Sequence, residues 1–292
     1  MTNTDLSDNH YFHVCSDGNY ASVLFRNETD FKAAMNRVAV CALLCRVVIV
    51  AFVLMDNHFH FVLRCRSGDD GLKFAGTFKR LTGKYNHDEY GENKSMHRVP
   101  VKVIPVEGGD YLKTLIGYVI KNPTKARKEM FYDYPWGTGG LYFRAAPKHE
   151  DAFCVREMSD DAVRKICRTR VKLPSEWRIA NGFILPENYV DVEFVERLYK
   201  TTRAFMAFLS LNKDDVIERD YGDWNESVMN DAELRSERIL LCREMFGTAS
   251  LRQVSAPDRI RLARELRRRF LCSKRQVARI VQLPRATVEA KL

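Results

Sequence analysis

Apolar and polar positions switch between two periods along the first half of the chain. Tyr11 to Cys15 reads as a short strand. Glu28 to Leu44 has helical spacing, with Phe31, Met35, Val38 and Leu43 among its apolar positions. Val47 to Leu54 is β-branched and apolar, which suits a buried strand. Met55-Asp56-Asn57 makes a turn, and His58 to Arg64 alternates, so the two strands form a hairpin. Asp70 to Tyr90 is a basic amphipathic helix with Leu72, Phe74, Phe78 and Leu81 as core candidates, ended by Gly91. Val99 to Val106 is a strand whose Pro100 and Pro105 place it at a sheet edge. Gly108-Gly109 turns, and Asp110 caps a helix that runs to about Asn122, before Pro123. The order β-α-β-β-α-β-α predicts an α/β fold, a ferredoxin-like antiparallel sheet with helices on one face.

The remainder is read more coarsely. Tyr132 to Phe143 (YDYPWGTGGLYF) is an aromatic, glycine-rich segment that folds back over the domain. A boundary is placed near residue 150. Residues 151–231 read as a helical middle region, with Val190 to Leu211 its clearest amphipathic helix. Residues 232–292 are helical and basic, and Arg259, Arg261, Arg264, Arg267, Arg268 and Arg269 cluster there. Within 273–291, a short helix through Val281, a turn at Gln282-Leu283-Pro284 and a second helix from Arg285 have the lengths of a helix-turn-helix.

Composition narrows the classes. The 292 residues are 46% hydrophobic and 29% charged, the balance of a soluble globular protein. No apolar run approaches the 18 or so residues of a membrane span. Met1 to His10 is polar and acidic, unlike a signal peptide, so the expected location is the cytoplasm, in association with the nucleoid. The net charge of +9 favours a polyanionic partner, nucleic acid being the commonest, with an ordinary basic protein as the alternative. The eight cysteines, Cys15, Cys41, Cys45, Cys65, Cys154, Cys167, Cys242 and Cys272, form no CxxC pair. Buried thiols in a reducing compartment are expected rather than a zinc site or a disulfide framework.

Two sets of residues carry candidate chemistry. His58 and His60 flank Phe59 in a strand, so both imidazoles share one face and can ligate one divalent ion, although a bare HxH is common by chance. Tyr118 and Asn122 lie four apart on a helix and share a face. Asn offers a carbonyl oxygen to a hard ion, and Tyr a phenol that can attack phosphorus. The plain alternative is a packed tyrosine and an asparagine capping the helix before proline.

Taken together the sets resemble a known family. Leu54-Met55-Asp56-Asn57-His58-Phe59-His60-Phe61-Val62-Leu63 resembles the Met-x-Asn-His-x-His signature of HUH single-strand transposases. Tyr118-Val119-Ile120-Lys121-Asn122-Pro123-Thr124-Lys125-Ala126 is similar to the Tyr-Ile-x-x-Asn-Pro-x-x-Ala block of the REP-associated tyrosine transposases. Ser16-Asp17-Gly18-Asn19 and Tyr134-Pro135-Trp136 resemble that branch's opening motif and its tryptophan segment. The resemblance spans about residues 10–145. Asp17 departs from it where a basic residue is usual, and Ser95-Met96-His97-Arg98 lacks expected aromatics. The resemblance implies His58, His60 and Asn122 as ligands of a divalent metal, Mg²⁺ or Mn²⁺, and Tyr118 as nucleophile. It further implies single-stranded or hairpin DNA as substrate, a 5′-phosphotyrosine intermediate, and strand transfer without ATP, by a monomer or homodimer.

Further cations are candidate DNA contacts. Lys73, Lys79, Arg80 and Lys84 lie on the basic helix, where a solvated face is the competing reading. Arg275, Arg279, Arg285 and Lys291 could hold duplex DNA from the C-terminal helices, against a plain helical hairpin. Tyr111, seven residues before Tyr118, is a rival nucleophile. The function classes left open are a strand-transferring enzyme, a DNA-binding regulator with a vestigial site, and a replication or conjugation nickase. The absence of a Walker-type loop speaks against a helicase linked to the last.

Overall fold

The computed structural model describes residues 10–16, 23–91, 96, 99–126, 129–144, 151–211, 216–217, 231–270, 274–284, 287–288 and 291. The chain divides into two units, residues 1–217 and 218–292.

The first unit is built on a four-stranded antiparallel sheet. Its strands are β1 (His10–Ser16), β2 (Val48–Leu54), β3 (Phe59–Cys65) and β4 (Val101–Val106), in the order β2-β3-β1-β4. With α1 (Glu28–Cys45) after β1 and α2 (Gly68–Tyr90) after β3, this is the ferredoxin-like arrangement the sequence predicts. β4 lies at an edge, as its prolines require. Both helices have side-chain N-caps: Asn27 accepts from Asp30 N, and Ser67 from Asp70 N. Gly91, at φ 64°, ends α2.

The sheet has two different faces. On one, Phe59 and Phe61 of β3 meet Phe74 and Phe78 of α2, with ring centroids 5.0–5.4 Å apart. The buried stripe of α2 runs Gly71, Phe74, Ala75, Phe78, Thr82 and Tyr85. Leu72, expected in the core, sits off that stripe and is exposed. The other face carries the alternate residues of β3 and is covered by α3 (Gly109–Lys125), which packs on β2 and β3. Helices therefore lie on both faces, α1 and α2 on one and α3 on the other.

The open edge of β2 is closed by the aromatic segment. Leu54 N donates to Trp136 O (2.8 Å) and Thr138 N to Phe52 O (3.0 Å). The hydroxyls of Tyr134 and Tyr142 donate to Leu54 O (2.8 Å) and Val50 O (2.6 Å). Further along, Asp191 N donates to Ile49 O (2.9 Å). An edge strand that would otherwise invite pairing is thus used up within the chain.

Residues 153–210 pack onto this sheet and are more mixed than the helical reading of the sequence. Three short strands, β5 (Phe153–Cys154), β6 (Arg178–Ala180) and β7 (Phe183–Ile184), form a second sheet beside α4 (Asp160–Cys167). Asn36, buried in α1, holds them. Its amide donates to Ile166 O and Gly182 O (both 3.2 Å), and its oxygen accepts from Ile184 N (2.8 Å). The helix expected over Val190 to Leu211 is two, α5 (Val192–Tyr199) and α6 (Thr202–Ser210). Lys200 turns left-handed at φ 71° and Thr201 caps the second. This pair braces α3: Tyr199 Oη donates to Lys113 O (2.6 Å) and Lys121 Nζ to Leu209 O (3.3 Å).

The second unit contains α7 (Asp231–Phe246), α8 (Ala256–Phe270) and α9 (Lys274–Val281). After α9, Gln282 turns at φ 55°, Leu283 N returns to Ala278 O, and a helical turn begins at Pro284, whose carbonyl accepts from Thr287 N and Val288 N. No described helix is long and apolar enough to cross a membrane.

The sheet core makes a direct prediction. Phe61→Ala should cost about 3–5 kcal/mol, read as a lower urea midpoint at unchanged m-value. A loss below about 1 kcal/mol would contradict the packing of Phe61 between Phe59, Phe74 and Phe78.

Candidate metal and nucleophile site

The site lies between the α3 face of the sheet and α3 itself. The β2–β3 turn presents His58, and the turn is held at several points. Met55 N donates to His58 O (2.8 Å), and Leu24 N and Phe25 N both donate to Asp56 O. Ser16 Oγ accepts from Phe59 N (3.0 Å), tying the end of β1 to the start of β3.

Three of the sequence-predicted residues meet across this gap, and the fourth adjoins them. His58 Nε2 is 3.4 Å from Asn122 Oδ1. The rings of His58 and His60 are 5.0 Å apart and edge-on. The ring of Tyr118 stands edge-on to His60, centroids 5.7 Å apart. The His-x-His spacing, from the β2–β3 turn into β3, and the four-residue step on α3 are therefore brought to one place.

Hydrogen bonding fixes which atoms face the gap. Asn57 Oδ1 lies 2.7 Å from His58 Nδ1, and in the neutral tautomer that donates to it the ring carries its lone pair on Nε2. Asn122 Nδ2 donates to Tyr118 O (2.9 Å) and Val119 O (3.4 Å). Pro123 lies inside α3 and has no N–H for Val119 O, its i−4 carbonyl. The Asn122 amide reaches that carbonyl at 3.4 Å, and together with its shorter bond to Tyr118 O this holds Oδ1 toward His58. His58 Nε2 and Asn122 Oδ1 thus face one another at 3.4 Å. Ligands on one ion with bonds of about 2.1 Å lie about 3 Å apart, so the pair fits a divalent cation between them.

Electrostatics keep the second histidine available. Burial, then His58, His13 and Lys125, hold the His60 imidazole well below its ordinary pKa, so it is neutral at pH 7. Its Nδ1 lies 3.1 Å from Nε2 of His13 on β1, whose own pKa burial lowers to about 3. Lys125 places Nζ 4.0 Å from the centroid of the Tyr118 ring.

Sequence reasoning singled out neither His13 nor Lys125. His13 reaches His60 only through the β1–β3 register, which local spacing does not reveal. Lys125 sits seven residues after Tyr118, two helical turns on the same face, and that step was legible. Tyr111 lies the same distance on the other side and is half-buried.

The expected DNA contacts are not gathered here. Lys73, Arg80 and Lys84 are exposed on α2, on the opposite face of the sheet, and Lys84 pairs with Asp88 (2.6 Å). Lys79 is half-buried, donates to Val99 O (2.5 Å), and burial lowers its pKa to about 8. In the second unit, Arg279 is paired with Asp231 through both ends of its guanidinium (3.0 Å each). Lys291 is exposed, while Arg285 and the side chain of Arg275 lie outside the described residues. The arginines of α8 are also engaged. Arg269 pairs with Glu244 and Glu265, Arg268 with Glu265, and Arg261 with Asp258. Asp17 and the 97–98 segment, where the sequence departs from the family pattern, lie outside the described residues too.

No family profile matches the sequence, and no curated protein matches it significantly. A solved structure of a REP-associated tyrosine transposase bound to a REP hairpin superposes with a TM-score of 0.34 at 17% identity, over 45% of this chain and 76% of its own. So partial a superposition leaves function to be read from the residues.

The orienting role of Pro123 is testable. Pro123→Ala restores an N–H for Val119 O and releases the Asn122 amide. Mn²⁺ affinity, followed by electron paramagnetic resonance titration, should fall about 10-fold or more while the helix is retained. Unchanged affinity would mean that the proline does not set the Asn122 rotamer.

Proposed function

We propose that the protein is a metal-dependent enzyme that cleaves single-stranded DNA and transfers the strand through a 5′-phosphotyrosine, acting at hairpin or palindromic repeat DNA. In this reading the chain resembles the REP-associated branch of the HUH transposases. One observation carries it: His58 Nε2 and Asn122 Oδ1 face each other at 3.4 Å, with Tyr118 against the adjoining His60. An imidazole nitrogen and an amide oxygen at that spacing suit a divalent cation between them. A phenol beside it is suited to attack on a phosphodiester.

Within this proposal His58, His60 and Asn122 hold Mg²⁺ or Mn²⁺. The bound ion would draw charge from the non-bridging oxygens of the scissile phosphate. Tyr118 Oη forms the new bond to phosphorus, and the bond to the departing O3′ breaks. The phenolic proton leaves to solvent, and the 3′ oxygen takes up a proton in turn. The phosphotyrosyl bond conserves the energy of the phosphodiester, so a later 3′-OH can attack it and rejoin the strand. Lys125, over the Tyr118 ring, is placed to offset negative charge on the phenolic oxygen. The α5–α6 pair, by bracing α3, holds Tyr118 and Asn122 against β3.

The test is a covalent-adduct assay with labelled hairpin single strands and Mn²⁺ on a denaturing gel. Wild type should give a labelled protein band. Tyr118→Phe should abolish it, and His58→Ala should reduce it about 100-fold or more. A band that survives Tyr118→Phe would move the nucleophile, with Tyr111 next in line. Tight hairpin binding with no adduct under any metal would favour a regulator with a vestigial site. A separate expectation concerns Lys125→Met, which should slow adduct formation about tenfold or more without weakening Mn²⁺ binding. An unchanged rate would remove Lys125 from the chemistry.

A further inference from the structure

β1 contributes more than a neighbouring strand to this site. In the β1–β3 register Cys15 stands directly opposite His60, and His13 lies two residues earlier on the same face. The three side chains are buried, and their ligating atoms all lie within 4.8 Å of one another. His13 Nε2 is 3.1 Å from His60 Nδ1, and the two rings stack at 5.3 Å with 23° between their planes. Tetrahedral zinc with bonds of about 2.0–2.3 Å needs ligand atoms about 3.3–3.8 Å apart. Small side-chain shifts would suffice. Two imidazoles and a thiolate suit a thiophilic ion, unlike the hard, oxygen-preferring Mg²⁺ or Mn²⁺.

We propose that His13, Cys15 and His60 form a second metal site, for a thiophilic divalent cation such as Zn²⁺, which shares His60 with the site of His58 and Asn122 and closes that site when filled. Three protein ligands leave one coordination position for water, so the site is of the exchangeable rather than the closed structural kind. On binding, the Cys15 thiol releases its proton to solvent and ligates as thiolate.

The coupling follows from the two nitrogens of one ring. Without the soft ion, the tautomer in which His60 Nδ1–H donates to His13 Nε2 carries its lone pair on His60 Nε2, where the hard ion would bind. With the soft ion on Nδ1, the neutral ring carries its proton on Nε2 and has no lone pair there. Each ion therefore excludes the other through a single tautomer, with no movement of the backbone. The inhibitory consequence rests on the cleavage activity proposed above; the metal site itself does not.

The experiment separates the two. Full-length protein, freed of metal by chelation, is titrated with Co²⁺ as the spectroscopic probe. One equivalent should bind with a thiolate-to-cobalt charge-transfer band, and Zn²⁺ should bleach it. Cys15→Ser and His13→Ala should lose the band, with folding checked by circular dichroism, while His58→Ala and Asn122→Ala should keep it. Absence of the band in the wild type, or its survival in Cys15→Ser, overturns the site. In the second arm, Zn²⁺ is added to the Mn²⁺ adduct assay. Wild type should lose the adduct near one equivalent of Zn²⁺, and Cys15→Ser should resist it. Equal sensitivity of both overturns the coupling. If the wild type forms no adduct at all, the cleavage reading fails and the Co²⁺ titration alone decides the site.

Discussion

The pairing register of β3 between β1 and β2 is the constraint on which both core and site depend. Side chains alternate along a strand, so a slip of one residue would send Phe59 and Phe61 to the α3 face and His60 into the α2 core. Two independent groups resist that slip. The aromatic packing of Phe59 and Phe61 on Phe74 and Phe78 rewards only one register, at several kcal/mol per ring. The turn at residues 55–58, pinned through Asp56 O and closed by Met55 N to His58 O, fixes the same register at its end. Site geometry is thus bound to the stability of the domain: the residues that hold the histidines in place are hydrophobic and lie on the other side of the sheet.

The opposite wall of the site depends on a local defect. An unbroken α3 would satisfy Val119 O by the backbone of residue 123, and Asn122 would be free to turn to solvent. Proline removes that donor, and a buried unsatisfied carbonyl costs about 1–3 kcal/mol. Asn122 offsets part of that cost with its 3.4 Å contact to Val119 O, while its 2.9 Å bond to Tyr118 O helps hold its oxygen toward His58. The same substitution pattern that the sequence offers as a helix stop is in the structure a rotamer lock within a continuing helix. Lys125, one turn beyond Asn122, keeps helical geometry and reaches back over Tyr118 only because α3 does not end at Asn122.

Much of this was legible in the sequence where periodicity is strict. The β-α-β-β-α-β order, the hairpin carrying His58 and His60, the edge position of β4 and the shared face of Tyr118 and Asn122 all follow from spacing and from proline and glycine chemistry. Legibility fails where a residue's partner is distant in sequence. Cys15 and His13 could not be seen as a metal-binding set, because spacing rules for zinc search along the chain and these ligands assemble across strands. The break between α5 and α6 rests on a left-handed Lys200, which no composition signal marks. The role of 153–210 as a brace is likewise written in hydrogen bonds such as Asn36 to Gly182 O and Tyr199 to Lys113 O, each spanning many residues.

Net charge is the weakest guide to where a nucleic acid would lie. The excess of +9 is real, yet the arginines of α8 are partnered by Glu244, Glu265 and Asp258, and the lysines of α2 lie across the sheet from Tyr118. Exposed ion pairs are worth little, so those arginines can exchange a carboxylate for a phosphate at small cost, and pairing does not disqualify them. Among the described residues, the cations near the histidines are few and specifically placed. Lys125 stands over the Tyr118 ring, and Lys102 on β4 is in register with Cys15, hence on the same face of the sheet. In the proposed reaction a scissile phosphate brought to this face would meet those two lysines beside the metal-ligand set. The proposal thus assigns attraction over the whole surface and alignment at the reacting bond to different residues. In that reaction, removing exposed cations would act on how often a strand is captured, and changing Lys125 would act on what happens once it is held.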